Sequence, residues 1–232
     1  MKVLIKLLFP FLLIICAGCS GSIPEIVQTF HQINVTKDLG TGRIIEKGTV
    51  FLQVQDEDGF NDIESVAILY ENDLLIWELT PSNWEYRDRD GEEWIGSTSI
   101  VMPDRSPLPR GKYLVEITDL AGEKAETELY FSADKPDYES VPFPSVSWPD
   151  GDLLVQSGPS TVTDTAVWVF DAGDNFIASY ALTEEGVIDL ETFIPRGRNP
   201  QSYTISVYAY WNVPGLGLIH GPFTPEVPPD SN

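Results

Sequence analysis

Apolar and polar residues alternate with a period of two along most of the chain. In TVFLQVQD (49–56), Val50, Leu52 and Val54 share one face, with Gln53 and Gln55 opposite. In KYLVEIT (112–118), Tyr113, Val115 and Ile117 alternate with Leu114, Glu116 and Thr118. AETELYF (125–131) sets Ala125, Thr127, Leu129 and Phe131 against Glu126, Glu128 and Tyr130. YTISVYAYW (203–211) places Tyr203, Ile205, Val207, Ala209 and Trp211 on one side. This period belongs to half-buried strands, because successive side chains of a strand point to opposite faces. No comparable stretch carries a helical period with caps, so the pattern predicts an all-β protein.

Turn chemistry punctuates the strands. Asp90-Gly91 in RDRDGEEW predicts a tight hairpin that needs positive φ. Gly122, and later Gly173 with Asn175, mark further connections. Such signals recur every 8–12 residues or so, the rhythm of a β-sandwich. About seven strands are expected in 27–132 and about seven in 145–223. Three prolines in ADKPDYESVPFPSVS (133–147) deny that stretch a central-strand role. The expected organisation is therefore a β-sandwich over 28–133, a proline-rich linker at 134–144, a second β-sandwich over 145–224, and a flexible tail at 225–232.

Residues 1–18 read as a cleaved targeting segment. Lys2 and Lys6 open it, an apolar run from Leu7 to Ile15 follows, and small residues close it. The run falls short of the roughly 20 apolar residues that a spanning helix requires. The stretch CAGC (16–19) resembles the lipobox of bacterial lipoproteins, in which small residues precede a cysteine. The resemblance implies a diacylglyceryl group on Cys19, cleavage before it, and acylation, commonly with palmitate, of the new amino group. Cys16 would leave with the signal, and Cys19 would be the one cysteine left. The alternative is an ordinary signal peptide that leaves Cys19 as a free thiol. Ser20, rather than Asp, after the cysteine implies sorting to the outer membrane; the alternative location is the cell membrane. The tether, residues 19–27, is short: residues 20–27 extend at most about 27 Å.

Charge narrows the partners. The formal net charge of the chain is −22. The acid is evenly spread, with −12 over residues 27–133 and −11 over 134–232. Without a basic stripe, nucleic acid is excluded as a partner. An anionic membrane surface would repel both halves, which leaves the lipid to hold the protein.

Two longer resemblances cover most of the chain. VFLQVQDEDGFNDIESVAILYEND with LPRGKYLVEITDLAGEKAETELYF is similar to bacterial immunoglobulin-like domains, through an Asp-Gly corner and a closing hairpin. The half ending SYTISVYAYW resembles a fibronectin type III-like module. Together they imply two tandem immunoglobulin-like β-sandwich domains of the kind used as spacers, adhesins and binders. Fold alone assigns no activity.

Candidate chemistry is sparse, and no cofactor is expected. No metal site is predicted, although Asp56, Asp58 and Asp62 in DEDGFNDIE would be the calcium candidates, as hard oxygen ligands. Their spacing does not fit an EF-hand loop, and a corner whose short acids hydrogen-bond local backbone is the expected reading. The two histidines, His31 and His220, have no ligand-spaced His or Cys neighbour. No catalytic residue is expected: Glu92 and Glu93 are two acids among 36, and no Gly-x-Ser-x-Gly elbow occurs. GLGLIHG (215–221), bracketed by Pro214 and Pro222, reads as a hairpin loop. Trp84 and Trp94, flanking the Asp-Gly hairpin, are the ligand-binding candidates. The expected function is that of a non-enzymatic, lipid-anchored envelope protein that engages a protein partner or acts as a spacer. The alternatives are a carbohydrate-binding lipoprotein using exposed tryptophans and, behind it, a carboxylate hydrolase.

Overall fold

The computed structural model describes residues 21–70, 74–149, 152–173, 176–182, 186–189, 194 and 199–225. The targeting segment, Cys19 and residues 226–232 of the tail lie outside the described residues. The protein is all-β, as the alternation predicts. Eight strands precede residue 132: β1 (Glu25–Asp38), β2 (Arg43–Gln55), β3 (Ile63–Tyr70), β4 (Leu75–Leu79), β5 (Glu85–Arg89), β6 (Glu92–Ile100), β7 (Gly111–Asp119) and β8 (Lys124–Phe131). Seven more follow among the described residues: β9 (Ser145–Ser147), β10 (Leu153–Gln156), β11 (Val162–Asp171), β12 (Phe176–Ala181), β13 (Gly186–Ile188), β14 (Tyr203–Trp211) and β15 (Leu216–Phe223).

These strands form three sheets. One has the order β12-β11-β14-β15-β1-β2-β6-β5, the second β4-β3-β7-β8, and the third β13-β10-β9. The chain divides into two compact units, each gathered from separated segments. The first unit takes 21–30, 51–97 and 112–129 of the described residues; the second takes 31–50, 98–111 and 130–225.

In the first unit the face predicted from the alternation of β7 is the buried one, whereas in β2 both faces are buried, with Phe51, Leu52, Gln53 and Val54 all enclosed. Tyr113, Val115 and Ile117 of β7 are fully buried, as are Val66 and Ile68 of β3. Val66 pairs with Ile117 across the ladder, and Ile68 with Val115. Each such side chain contributes about 1.5–3 kcal/mol by leaving water. The period does not stop at Ile117: Asp119 continues the inward row of β7 and is also fully buried. Arg89 pairs with Glu92 across the β5–β6 hairpin. Asp90 and Gly91 form its turn with φ of 58° and 84°, the two positive values that the Asp-Gly pair supplies.

In the second unit Ile205, Val207 and Ala209 of β14 are buried, together with Val167 and Val169 of β11 and Leu153 and Val155 of β10. GLGLIHG is not a loop: it forms most of β15, which pairs antiparallel with β14 and parallel with β1. Gly217 permits this, because a Cβ there would collide with Asn34 Oδ1. Asn34 itself is buried and donates to Thr49 Oγ1 at 2.8 Å.

Residues 134–144 fall within the second unit. β1 and β2 are 14 and 13 residues long, and each contributes one part to each unit. Residues 134–144 form no strand, as expected, but they do not hang free. Tyr138 Oη donates to Glu46 Oε1 at 2.8 Å, and Pro144 O lies 2.6 Å from His220 Nδ1. His220 is 8% exposed, and burial holds its imidazole below the ordinary value. An edge-on contact from Phe223 at 4.8 Å and a tilted one from Phe143 at 5.8 Å add to its packing. His31 meets Phe131 edge-on at 5.8 Å.

Candidate functional site: an acid corner at the start of the first strand

Two β-turn elements of the first unit bring acids together. The stretch after β2 turns through Asp56, Asp58 and Gly59, whose φ of 99° suits glycine. A short 3-10 turn, Phe60–Asp62, leads from there into β3. The β7–β8 turn supplies Asp119, with Gly122 at φ 85°. Leu120 N donates to Asp62 O at 2.8 Å and ties the two turns together. One carboxylate oxygen from each of Asp56, Asp62 and Asp119 then lies within 4.8 Å of the others.

Each oxygen has a distinct state. Asp56 Oδ1 accepts from Asp58 N at 2.8 Å and from Ser22 Oγ at 2.8 Å. Asp119 Oδ1 accepts from Glu123 N at 2.8 Å. The second oxygens, Asp56 Oδ2 and Asp119 Oδ2, are closed off from solvent and have no hydrogen-bond partner among the described residues. The Asp62 carboxyl is pushed above its ordinary value, first by partial desolvation and then by the charges of Asp119, Asp56 and Asp58.

Of the three sequence candidates, Asp56 and Asp62 therefore meet, while Asp58 turns elsewhere. Asp58 Oδ2 accepts from Ser22 N at 2.6 Å and from Ser22 Oγ at 3.0 Å. Asp119 was not legible as a ligand from local spacing, since it stands 57 positions beyond Asp62. The signal for it was the inward row of β7, which ends on an acid where a core residue is expected.

Beside the corner runs an open groove of about 670 Å³, lined in part by Ser22, Glu25, Asp56, Glu57, Glu92 and Glu93. Its charged lining residues are all acids, so it suits a cation or a basic group and disfavours an anion. Glu92 and Glu93 lie at the end of the β5–β6 hairpin, and Glu93 Oε1 accepts from Tyr86 Oη at 3.3 Å.

The aromatic candidates sit next to this corner without forming an open platform. Trp84 is half-buried, with its ring 6.3 Å from Phe60. Trp94 is half-buried too, and its indole Nε1 is enclosed with no hydrogen-bond partner among the described residues. The exposed ring is Tyr86, edge-on to Phe60 at 4.9 Å. In the second unit Trp168 stacks on Tyr208 at 5.0 Å, and Trp148 packs against the buried cluster.

The first unit also exposes Ile23, Ile76 and Leu120. No described helix is long and apolar enough to cross a membrane.

Comparison with known proteins adds little. No protein family and no curated protein matches the chain. Among solved structures, dimeric latent PorU from Porphyromonas gingivalis aligns over 85% of this chain and 20% of its own, at 13% identity and a TM-score of 0.32. The chain thus spans about a fifth of that protein's length, and a likeness at this score carries no argument.

Proposed function

We propose that the protein is a non-enzymatic lipoprotein of the bacterial envelope, held through Cys19 in the outer membrane and presenting tandem β-sandwich domains to a protein partner. The observation that carries this reading is the position of Ser22. Three residues after Cys19, its amide and hydroxyl are already bound to Asp56 and Asp58. A lipid on Cys19 would therefore hold the folded body against the bilayer with almost no slack, at no more than ~3.6 Å per intervening residue. Two or three acyl chains would anchor it firmly, since each buried methylene contributes about 0.8 kcal/mol.

The two smaller sheets support the tandem immunoglobulin-like and fibronectin type III-like reading, while the eight-stranded sheet draws strands from both halves of the chain. Every strand of the four-stranded sheet ends by residue 131, and every strand of the three-stranded sheet begins at 145 or later. Its acid-rich surface would keep such a body soluble beside the membrane.

Metabolic labelling with a fatty-acid analogue tests the anchor. Wild type should carry the label and partition into detergent, and Cys19→Ala should lose both. An unlabelled wild-type chain in the aqueous phase contradicts the proposal.

A further inference from the structure

The acid corner contains two carboxylate oxygens that folding removes from water without supplying a donor. Asp119 is fully buried, and its Oδ2 is one of them; Asp56 Oδ2 is the other. Buried carboxylates are ordinarily paired, hydrogen-bonded or bound to a metal. Among the described residues, no side chain supplies a partner to either oxygen. Asp62 and Asp58 are acids, and the single Ser22 hydroxyl proton is already shared between Asp56 Oδ1 and Asp58 Oδ2.

We propose that a single Ca²⁺ ion binds between Asp56 Oδ2, Asp119 Oδ2 and the carboxylate of Asp62. One oxygen from each of the three carboxylates lies within 4.8 Å of the others, a separation that one ion with bonds of roughly 2.4 Å can bridge. The donor set is all hard oxygen, without His or Cys, which selects calcium or magnesium over zinc and copper. Magnesium keeps several of its waters and demands near-octahedral geometry. Enclosed, pre-aimed carboxylates on two separate turns suit the larger and more tolerant ion.

The outer contacts are those of a built site. Each ligand that is fixed by its other oxygen is fixed by a backbone amide: Asp58 N for Asp56, and Glu123 N for Asp119. Such contacts hold a carboxylate in its coordinating orientation. Asp56 also links the ion to the start of the described chain, because it receives the Ser22 hydroxyl. Gly21 leaves the space for this: a Cβ there would lie 3.4 Å from Asp119 Oδ2 and 2.9 Å from Ala121 Cβ. Calcium therefore clamps the corner after β2 to the β7–β8 turn, and Asp56 links both to the Gly21–Ser22 segment that precedes β1. The inference does not depend on lipidation.

Thermal unfolding of the full-length protein in detergent tests it, with calcium, magnesium or chelator present. Binding should be one ion per chain by calorimetry, with a Kd of roughly 10⁻⁴–10⁻³ M, the range of extracellular modules. Saturating calcium should raise the wild-type midpoint by about 5 °C. Asp119→Asn keeps an acceptor for Glu123 N and removes the charge. It should lose the calcium response and, in chelator, melt no lower than wild type. Asp62→Asn provides the same test at a partly exposed position if Asp119→Asn fails to fold. Glu126→Gln, an exposed acid on β8, should respond fully. Absence of a shift in wild type, an equal shift with magnesium, or a response retained in both Asn variants overturns the proposal.

Discussion

Glu46 and Asp119 are both buried acids on strands, and the fold treats them in opposite ways. The Glu46 side chain is fully buried and meets a complete set of donors. Arg110 approaches as a fork, with Nη1 2.7 Å from Oε2 and Nη2 2.8 Å from Oε1. Leu108 N donates to Oε2 at 2.9 Å, and Tyr138 Oη to Oε1 at 2.8 Å. This cluster lies in the second unit and ties three distant segments of that unit together. Burial and the Glu46 contact push the Tyr138 phenol well above its ordinary value, so it remains a donor. Asp119 in the first unit has one backbone amide for Oδ1 and two acids for company. Among the described residues, Arg110 supplies the cation for Glu46, and none pairs with Asp119. A buried carboxylate that lacks its counter-charge marks a place where solution must provide one.

The largest expected effect breaks the self-sufficient pair. Arg110→Ala should destabilise the protein by about 3–5 kcal/mol, because it strands a buried charge. Adding Glu46→Gln should recover part of that loss, and urea midpoints of the two variants measure the difference. Tyr138→Phe removes one donor of several and should cost about 1–2 kcal/mol in the same assay. Ser22→Ala, at a partly exposed contact of the acid corner, should cost less than about 1 kcal/mol. Its effect should show instead in faster hydrogen exchange at the Asp58 amide.

The smallest expected effect concerns His220, a buried base that the fold keeps neutral. Its folded value is lowered by burial, against an opposing contribution from the Pro144 carbonyl and a reinforcing one from Lys37. The unfolded chain then takes up a proton first as pH falls. Stability is present above pH ~6.5 and declines as pH drops from there toward the folded value. His220→Gln should flatten melting temperature against pH in that window. An unchanged profile would show that His220 does not contribute.

Local chemistry was legible in the sequence, and long-range chemistry was not. The Asp90-Gly91 hairpin and the inward rows of β7 and β14 follow from period and turn residues, because neighbours in the chain determine them. The β15 strand was read as a loop because its glycines and flanking prolines imitate turn chemistry. What makes it a strand is close approach to β1, nearly the whole chain away. The two-unit division was equally hidden, since nothing local announces that a 14-residue strand serves two sets of contacts. At the acid corner, Asp56 and Asp62 stood out through local density of acids. Asp58 shared that density but took a different task, holding Ser22. Asp119 was visible only as an acid on an apolar row, a mismatch that local reasoning passes over.

The most direct test of the contrast between Glu46 and Asp119 is a crystal structure of the protein grown with calcium. The account predicts an ion at roughly 2.3–2.6 Å from Asp119 Oδ2, Asp56 Oδ2 and Asp62, and none near Glu46. Density for a water or a shared proton between Asp119 and its neighbours, with calcium absent or bound only elsewhere, would contradict it.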